Sequence, residues 1–239
     1  MIKIYKNFHG IFTQSKSLRE HILKLNVNKN VFHLPVHAEA NYLNLSKKNN
    51  DKIFKIYFFG NIGLAQDIPS VLKTIEVLKN NRDIKWIFVG EGTMKNWLKT
   101  KIKQKNLDKN VTLKPMVPLD KVSFYYKDAD ALLVSLKKNK CFNLILPAKV
   151  QSYLASGIPI FSMGSGETYS TVKSASCGIY CKSGNYKKFA ELIHNFKKLE
   201  FKKRKKIGIN GYKYYLKNFH INKIIKFFEI SSNKITNLN

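Results

Sequence analysis

From Lys52 onward, short apolar runs alternate with stripes of helical period. The runs "KIYFFG" (Lys55 to Gly60), "KWIFVG" (Lys85 to Gly90), "NVTLKPMV" (Asn110 to Val117), "ADALLVSL" (Ala129 to Leu136), "IPIFSMG" (Ile158 to Gly164) and "GIYCKS" (Gly178 to Ser183) predict six strands. Several are almost wholly apolar, as strands covered on both faces of a parallel sheet must be. Between them Val71, Leu72, Ile75 and Leu78 fall on one helical face, and Trp97, Leu98 and Ile102 on another. "LDKVSFYYKDA" predicts a short helix starting near Asp120, and "PAKVQSYLASG" is opened by Pro147 and closed by Gly157, the usual punctuation of a helix. Strand, helix, strand in repetition implies right-handed crossovers and an α/β fold with a doubly wound parallel sheet.

The two ends read differently. "GIFTQSKSLREHILKL" predicts strand, Ser cap and helix, "KNVFHLPV" a second strand, and "AEANYLNLSKKNND" a linker. Fifty residues are too few for an independent domain. Residues 51–232 form the main unit, whose C-terminal part is helical: "NYKKFAELIHNFKKL", a basic helix to about Leu216, and "INKIIKFFEI". The last residues, "SSNKITNLN", predict a frayed tail, counted as 233–239.

Charge changes this picture only modestly. The 239 residues carry a formal net charge of +28, yet of 43 basic residues only Arg19, Arg82 and Arg204 are arginine. Two readings fit: lysines scattered over solvated faces, or attraction to an anionic partner such as a phosphorylated substrate, acidic lipid or nucleic acid. The poverty in arginine argues against nucleic acid, whose bases and phosphates favour the bidentate guanidinium. The densest basic run, "KKLEFKKRKK" (Lys197 to Lys206), reads either as a solvated helix face or as a membrane-surface contact. No apolar run approaches the roughly 18 residues of a bilayer span, and the N-terminus lacks a secretory pattern. Cys141, Cys177 and Cys181 imply neither a disulfide framework nor a zinc site, so the reducing cytoplasm is the expected location.

In a doubly wound sheet, ligands bind beyond the carboxyl ends of the strands. "GNIGLAQD" (Gly60 to Asp67) follows the first strand of the main unit and precedes a helix. Its backbone amides and helix N-terminus could cradle an anion, although a plain strand–helix turn has the same look. The loop contains no Lys or Arg, and it is neither a Walker loop nor a three-glycine dinucleotide fingerprint. Gly92 in "VGEG" follows the next strand, and in "MVPLD" the chain leaves the third strand at Val117 through Pro118. Lys149 sits in the first turn of a helix, unfavourable for a cation unless an anion lies between. Glu167 in "GSGETY" occupies another first turn, where a carboxylate is favoured on structural grounds alone.

Taken in order, "FFGNIGLAQDIPSVLKTIEVL", "KWIFVGEGTMKNWL", "NVTLKPMVPLDKVSFYYKDADALLVSL", "PAKVQSYLASGIPIF", "GETYSTVKSASCGIYCKSGN" and "KIGINGYKYYLKNF" resemble the C-terminal, nucleotide-sugar-binding domain of GT-B glycosyltransferases, specifically glycosyltransferase family 4. The first and fourth are most similar to the branch containing amino-sugar transferases of bacterial surface-polysaccharide synthesis. The resemblance spans about Lys52 to Glu229. Residues 1–50 resemble the last strand–helix–strand of the N-terminal acceptor-binding domain, with its linker.

The resemblance implies a Rossmann-like donor domain that binds a nucleotide-sugar. It places Gly60, Asn61, Ile62, Gly63 and Gln66 at the donor diphosphate, and Gly92 and Val117 near the base and ribose. It places Lys149 against the phosphates, with Ser152 among the donor-binding residues of the same motif, and Glu167 near the sugar or phosphate. Where many members carry Arg and Lys in the first loop, this chain has Asn61 and Gln66; two customary glutamates are replaced by Leu144 and Ser152. The implied reaction is retaining transfer of a hexosyl or N-acetylhexosaminyl group from a UDP-linked donor to a glycan or lipid-linked acceptor. Amides and a cation can stabilise the leaving diphosphate, so no metal or other cofactor is expected. A separate polypeptide supplying the rest of the acceptor domain, and contact with the inner face of a membrane, are expected partners; nucleic acid is not. The alternatives are a truncated, non-catalytic nucleotide-sugar-binding module and a basic RNA- or membrane-surface-binding protein.

Overall fold

Six of the predicted runs become the strands of one parallel sheet. The computed structural model describes residues 2–26, 30–38, 42, 45 and 52–236, so most of the predicted linker lies outside the described residues. The sheet contains β3 (Phe54–Phe59), β4 (Ile84–Val89), β5 (Val111–Lys114), β6 (Ala131–Ser135), β7 (Ile160–Met163) and β8 (Gly178–Cys181), in the spatial order β5-β4-β3-β6-β7-β8. β5 ends where Pro115 removes a ladder donor, well short of the predicted Val117.

Alternation along these strands explains why they read as continuous apolar runs. Phe54, Ile56 and Phe58 of β3 join Ile84, Trp86 and Phe88 of β4 in one buried cluster. That cluster is covered by α3 (Ile68–Val77), α4 (Lys95–Gln104) and α9 (Tyr186–Lys197). Tyr57, Phe59, Ile87 and Val89 point the other way, into a second cluster. It is closed by α5 (Leu119–Tyr126), α7 (Ala148–Ser156), α8 (Glu167–Ala175) and α10 (Phe201–Asn218). A sheet buried on both faces is the doubly wound arrangement.

Most of the basic run lies on an exposed helix face, as both readings of it require. Lys202, Lys203, Lys205 and Lys206 are exposed on α10, whereas Arg204 turns inward. Its Nη1 donates to the carbonyls of Lys197 (2.9 Å) and Leu199 (2.8 Å), closing the end of α9. Cys141, Cys177 and Cys181 are all free thiols.

The N-terminal segment folds as a small unit: α1 (Ile2–Lys6), β1 (Ile11–Thr13), α2 (Lys16–Lys24) and β2 (Val31–His33), with β1 and β2 paired in parallel. Ser15 caps α2 as the sequence implies, its Oγ accepting from Leu18 N–H. Two expectations are corrected. α6 (Lys140–Asn143) and α11 (Ile221–Thr236) complete the helices, and α11 continues to Thr236 where a frayed tail was expected over 233–239, of which 237–239 lie outside the described residues. Ser231 is buried. α11 also leaves the main unit and lies on the N-terminal one: Phe228 packs on Phe12 with ring centroids 5.3 Å apart, and Phe227 meets Phe32 edge-on at 6.4 Å. Of its apolar stripe, read from sequence as belonging to the large domain, Phe227 and Phe228 meet the little two-stranded sheet instead, while Ile225 and Ile230 stay exposed.

Candidate functional site

Strand order reverses between β3 and β6, the two strands that start the outward runs on either side of the sheet. Loops leaving neighbouring strands there diverge and open a crevice at the carboxyl edge. The loop after β3 begins at Gly60, with φ +105, a conformation suited to glycine.

This loop is stitched to its neighbour rather than left open. Gly60 N–H donates to Val89 O (3.0 Å) and Ile62 N–H to Glu91 O (2.7 Å), while Met94 N–H donates to Ile62 O (2.9 Å). Gly63 N–H donates to Gln66 Oε1 (3.2 Å). Gln66 thus braces the loop from within. Of the four amides from Gly60 to Gly63, only that of Asn61 has no acceptor among the described residues. Ile62 is fully buried in the core. Gly92, φ +147, is a packing residue: a Cβ there would fall 2.3 Å from Asn61 Oδ1 and 2.5 Å from Ile62 O.

The cation missing from the loop arrives from α7. Lys149 reaches across the crevice so that its Nζ donates to Phe59 O at 2.6 Å and lies 4.1 Å above the Phe58 ring centroid. It stands beside Gly60, where a Cβ would come within 3.4 Å of the ammonium. The residue as a whole is half-buried and its ammonium is the deep end; burial pushes its pKa down to about 8. A cation held there with one hydrogen bond and a ring face retains unused donors for an anion.

Next to Lys149 lies a cavity of about 380 Å³. Gly60, Lys149 and Ser152 line its polar end, and Val117, Met116 and Leu119 its outer wall. Phe59 and Tyr126, centroids 5.0 Å apart, form its floor. The volume and the mix of apolar walls with few polar groups suit a small-molecule site. Of the ten sequence-predicted site residues, four therefore meet at the cavity: Gly60, Val117, Lys149 and Ser152. Asn61, Ile62, Gly63, Gln66 and Gly92 build the loops behind it.

Glu167 stands apart. Its carboxylate caps the N-terminus of α2: Oε2 accepts from Ser17 N–H (3.1 Å) and from Ser17 Oγ, and Oε1 accepts from Lys16 N–H at 3.4 Å. Ser15 Oγ donates to Leu144 O close by. These contacts fasten the N-terminal unit onto the main one. Charge-assisted hydrogen bonds of this kind contribute about 1.5–3 kcal/mol. Replacing Glu167 by Ala is therefore expected to speed amide hydrogen exchange at Lys16 and Ser17 by at least about tenfold, with the sheet amides of β3 and β6 unchanged.

A family model described as "Glycosyl transferases group 1" matches residues 43–214. The chain belongs to that family. Its fold is the Rossmann-like α/β fold of GT-B glycosyltransferases. TarM of S. aureus superposes with a TM-score of 0.81 at 15% identity, over 96% of this chain and 45% of TarM. A glycosyltransferase from Rickettsia africae gives 0.79 at 15% identity, over 98% of this chain and 66% of that one. Anabaena HepE, solved with UDP and glucose, gives 0.78 at 13% identity, over 97% of this chain and 65% of HepE. By sequence the chain is 28% identical over 137 residues to "Probable glycosyltransferase WbjE" of Pseudomonas aeruginosa, covering 56% of this chain and 32% of WbjE. The chain spans less than two thirds of each of these relatives.

In this member of the group 1 family, one side of the cavity is made by Val36, His37 and Tyr42, which the sequence did not single out. Val36 ends the predicted second strand, beyond the observed β2, and His37 and Tyr42 come from the segment after it, which carries no periodic pattern. Tyr42 is fixed there by donating its hydroxyl to Leu119 O (3.0 Å) and by packing on Tyr126 at 5.3 Å. An aromatic in a polar linker was the only available signal.

Proposed function

We propose that this chain binds the nucleotide-sugar donor of a glycosyl transfer, the nucleoside lying in the cavity walled by Phe59, Tyr126 and Val117 and the diphosphate reaching Lys149. The observation that carries the reading is the placement of one deep ammonium beside the glycine loop, at the mouth of an apolar cavity, at the topological switch point. A cation and oriented dipoles aimed at a departing diphosphate stabilise the charge that develops as the glycosidic bond breaks. The donor is UDP-linked and the transfer retaining, with a hexosyl or N-acetylhexosaminyl group passing to a glycan or lipid-linked acceptor of a surface polysaccharide. Supporting the uridine assignment, HepE was solved with UDP and glucose, and TarM with UDP.

The side chains that would grip the diphosphate in the first loop are here polar and neutral, and Gln66 and most of the loop amides are internally committed. The charge recognition therefore falls chiefly on Lys149, with Asn61 as the remaining amide and side-chain donor. Ser152, on the same helix face of the cavity, is placed for the ribose or a phosphate oxygen.

Saturating UDP should raise the melting temperature of the chain, since a ligand at 100 times its Kd stabilises by about 2.7 kcal/mol. No shift with millimolar UDP or UDP-sugars would contradict the donor reading. Salt-sensitive RNA binding tighter than UDP binding would favour the basic-surface alternative.

A further inference from the structure

A second cavity, of about 600 Å³, lies between α2, β2, the end of α10 and α11, and shares no lining residue with the first. Its wall is basic. Lys16 and Arg19 come from α2, His33 from β2 and Lys223 from α11; Glu20 is the one carboxylate opposing them among the lining residues. Its floor is apolar, with Phe32 and Phe227 meeting edge-on at 6.4 Å beside Ile224.

The arginine is oriented for a ligand. Arg19 Nε donates to Val31 O at 2.8 Å, which fixes the plane of the guanidinium. Among the described residues nothing accepts from its two Nη nitrogens. A guanidinium held by Nε with its terminal donors unused matches the planar, paired oxygens of a phosphate. Lys223 is steadied by its Nζ donating to Lys217 O (3.2 Å) and keeps further donors. The half-buried His33 ring has its pKa lowered, first by burial and then by the charge of Lys16; Arg19 adds to this, while Glu167 and the Gln14 backbone oppose it. A bound anion would reverse the electrostatic part.

We propose that this pocket binds the phosphate group of a ligand distinct from the donor, held by Arg19, Lys223 and Lys16, with any uncharged part of that ligand lying on Phe32 and Phe227. The pocket sits beside the Glu167 clasp, since Lys16 belongs to both, so its ligand lies on the N-terminal side of the crevice. The assignment is independent of the donor reading.

The test is calorimetric titration of the full chain with inorganic phosphate and, separately, with hexyl phosphate. Saturable binding is expected, weakened about tenfold or more by Arg19→Gln and by Lys223→Ala, and preserved in Lys149→Met, which removes the cation of the other cavity. Lys223 is exposed, so its replacement leaves the fold intact if Arg19→Gln does not. The NMR titration of the His33 ring should move to higher pH when phosphate is present. Equal affinity for the two probes identifies a free phosphate or phosphorylated sugar; hexyl phosphate binding at least about tenfold more tightly identifies a phosphate carried on an apolar chain resting on the rings. Absence of binding by both probes, binding indifferent to Arg19 and Lys223, or binding lost only in Lys149→Met would overturn the proposal.

Discussion

Lys149→Ala should weaken UDP binding by roughly 30-fold or more, equivalent to about 2 kcal/mol. Among the described residues lining the proposed donor cavity, Lys149 is the one Lys or Arg. The loop that borders it contributes no cation, and three of its four leading amides are already paired. Little else in the crevice can replace the lost charge. The apo fold should tolerate the change, because the ammonium makes a single hydrogen bond and its burial is itself unfavourable, as its depressed pKa shows. Binding and stability should therefore separate in this variant. A proportional loss of both, read by calorimetry and thermal melting on the same sample, would mean that Lys149 is structural.

Gly92→Ala should do the opposite, lowering stability first. The residue holds φ +147, and an added Cβ would strike Ile62 O and Asn61 Oδ1. Backbone strain costs about 1–3 kcal/mol and overpacking a similar amount. Relief requires the first loop to move away, which breaks the paired hydrogen bonds Ile62 N–H to Glu91 O and Met94 N–H to Ile62 O. The melting temperature should drop by roughly 5 °C or more, and UDP affinity should fall because Gly60 and Asn61 are displaced. A variant that melts within about 1 °C of the parent would show that the loops are not held together as described.

The fold was legible because its signals are periodic. β3, β4, β6 and α3 are buried on two faces or one, and burial is what hydrophobic spacing records. The site was legible only in part. Lys149 could be singled out because a cation in a first helical turn runs against the helix dipole. Nothing in the spacing could say that Gln66 and Gly92 would be spent on bracing the loop, since a hydrogen bond from Gly63 to Gln66 and a close approach of Gly92 to Asn61 depend on how two loops meet. Glu167 was readable as a first-turn carboxylate, but the helix it caps is α2, 150 residues away in sequence. The destination of α11 was hidden for the same reason. Its stripe announces an apolar contact without saying that Phe227 and Phe228 meet Phe32 and Phe12 of β2 and β1.

Lys149 ties donor binding to pH in a direction that can be checked. Burial lowers its pKa from 10.5 to about 8, so between those values the unfolded chain binds the more protons. The stability of the apo protein from this group therefore rises with pH across that window. A diphosphate requires the charged ammonium, so its affinity must run the other way, constant below about 8 and falling above it. The most direct measurement is the Kd of UDP by calorimetry at pH 7 and pH 9.5, for the parent chain and for Lys149→Ala. Tight binding is expected at pH 7, weakening by about tenfold at pH 9.5 in the parent, with weak binding and a much flatter pH response in the variant. Equal pH responses in the two chains, or parent affinity no better than that of the variant at pH 7, would contradict the assignment of Lys149 as the phosphate-binding group.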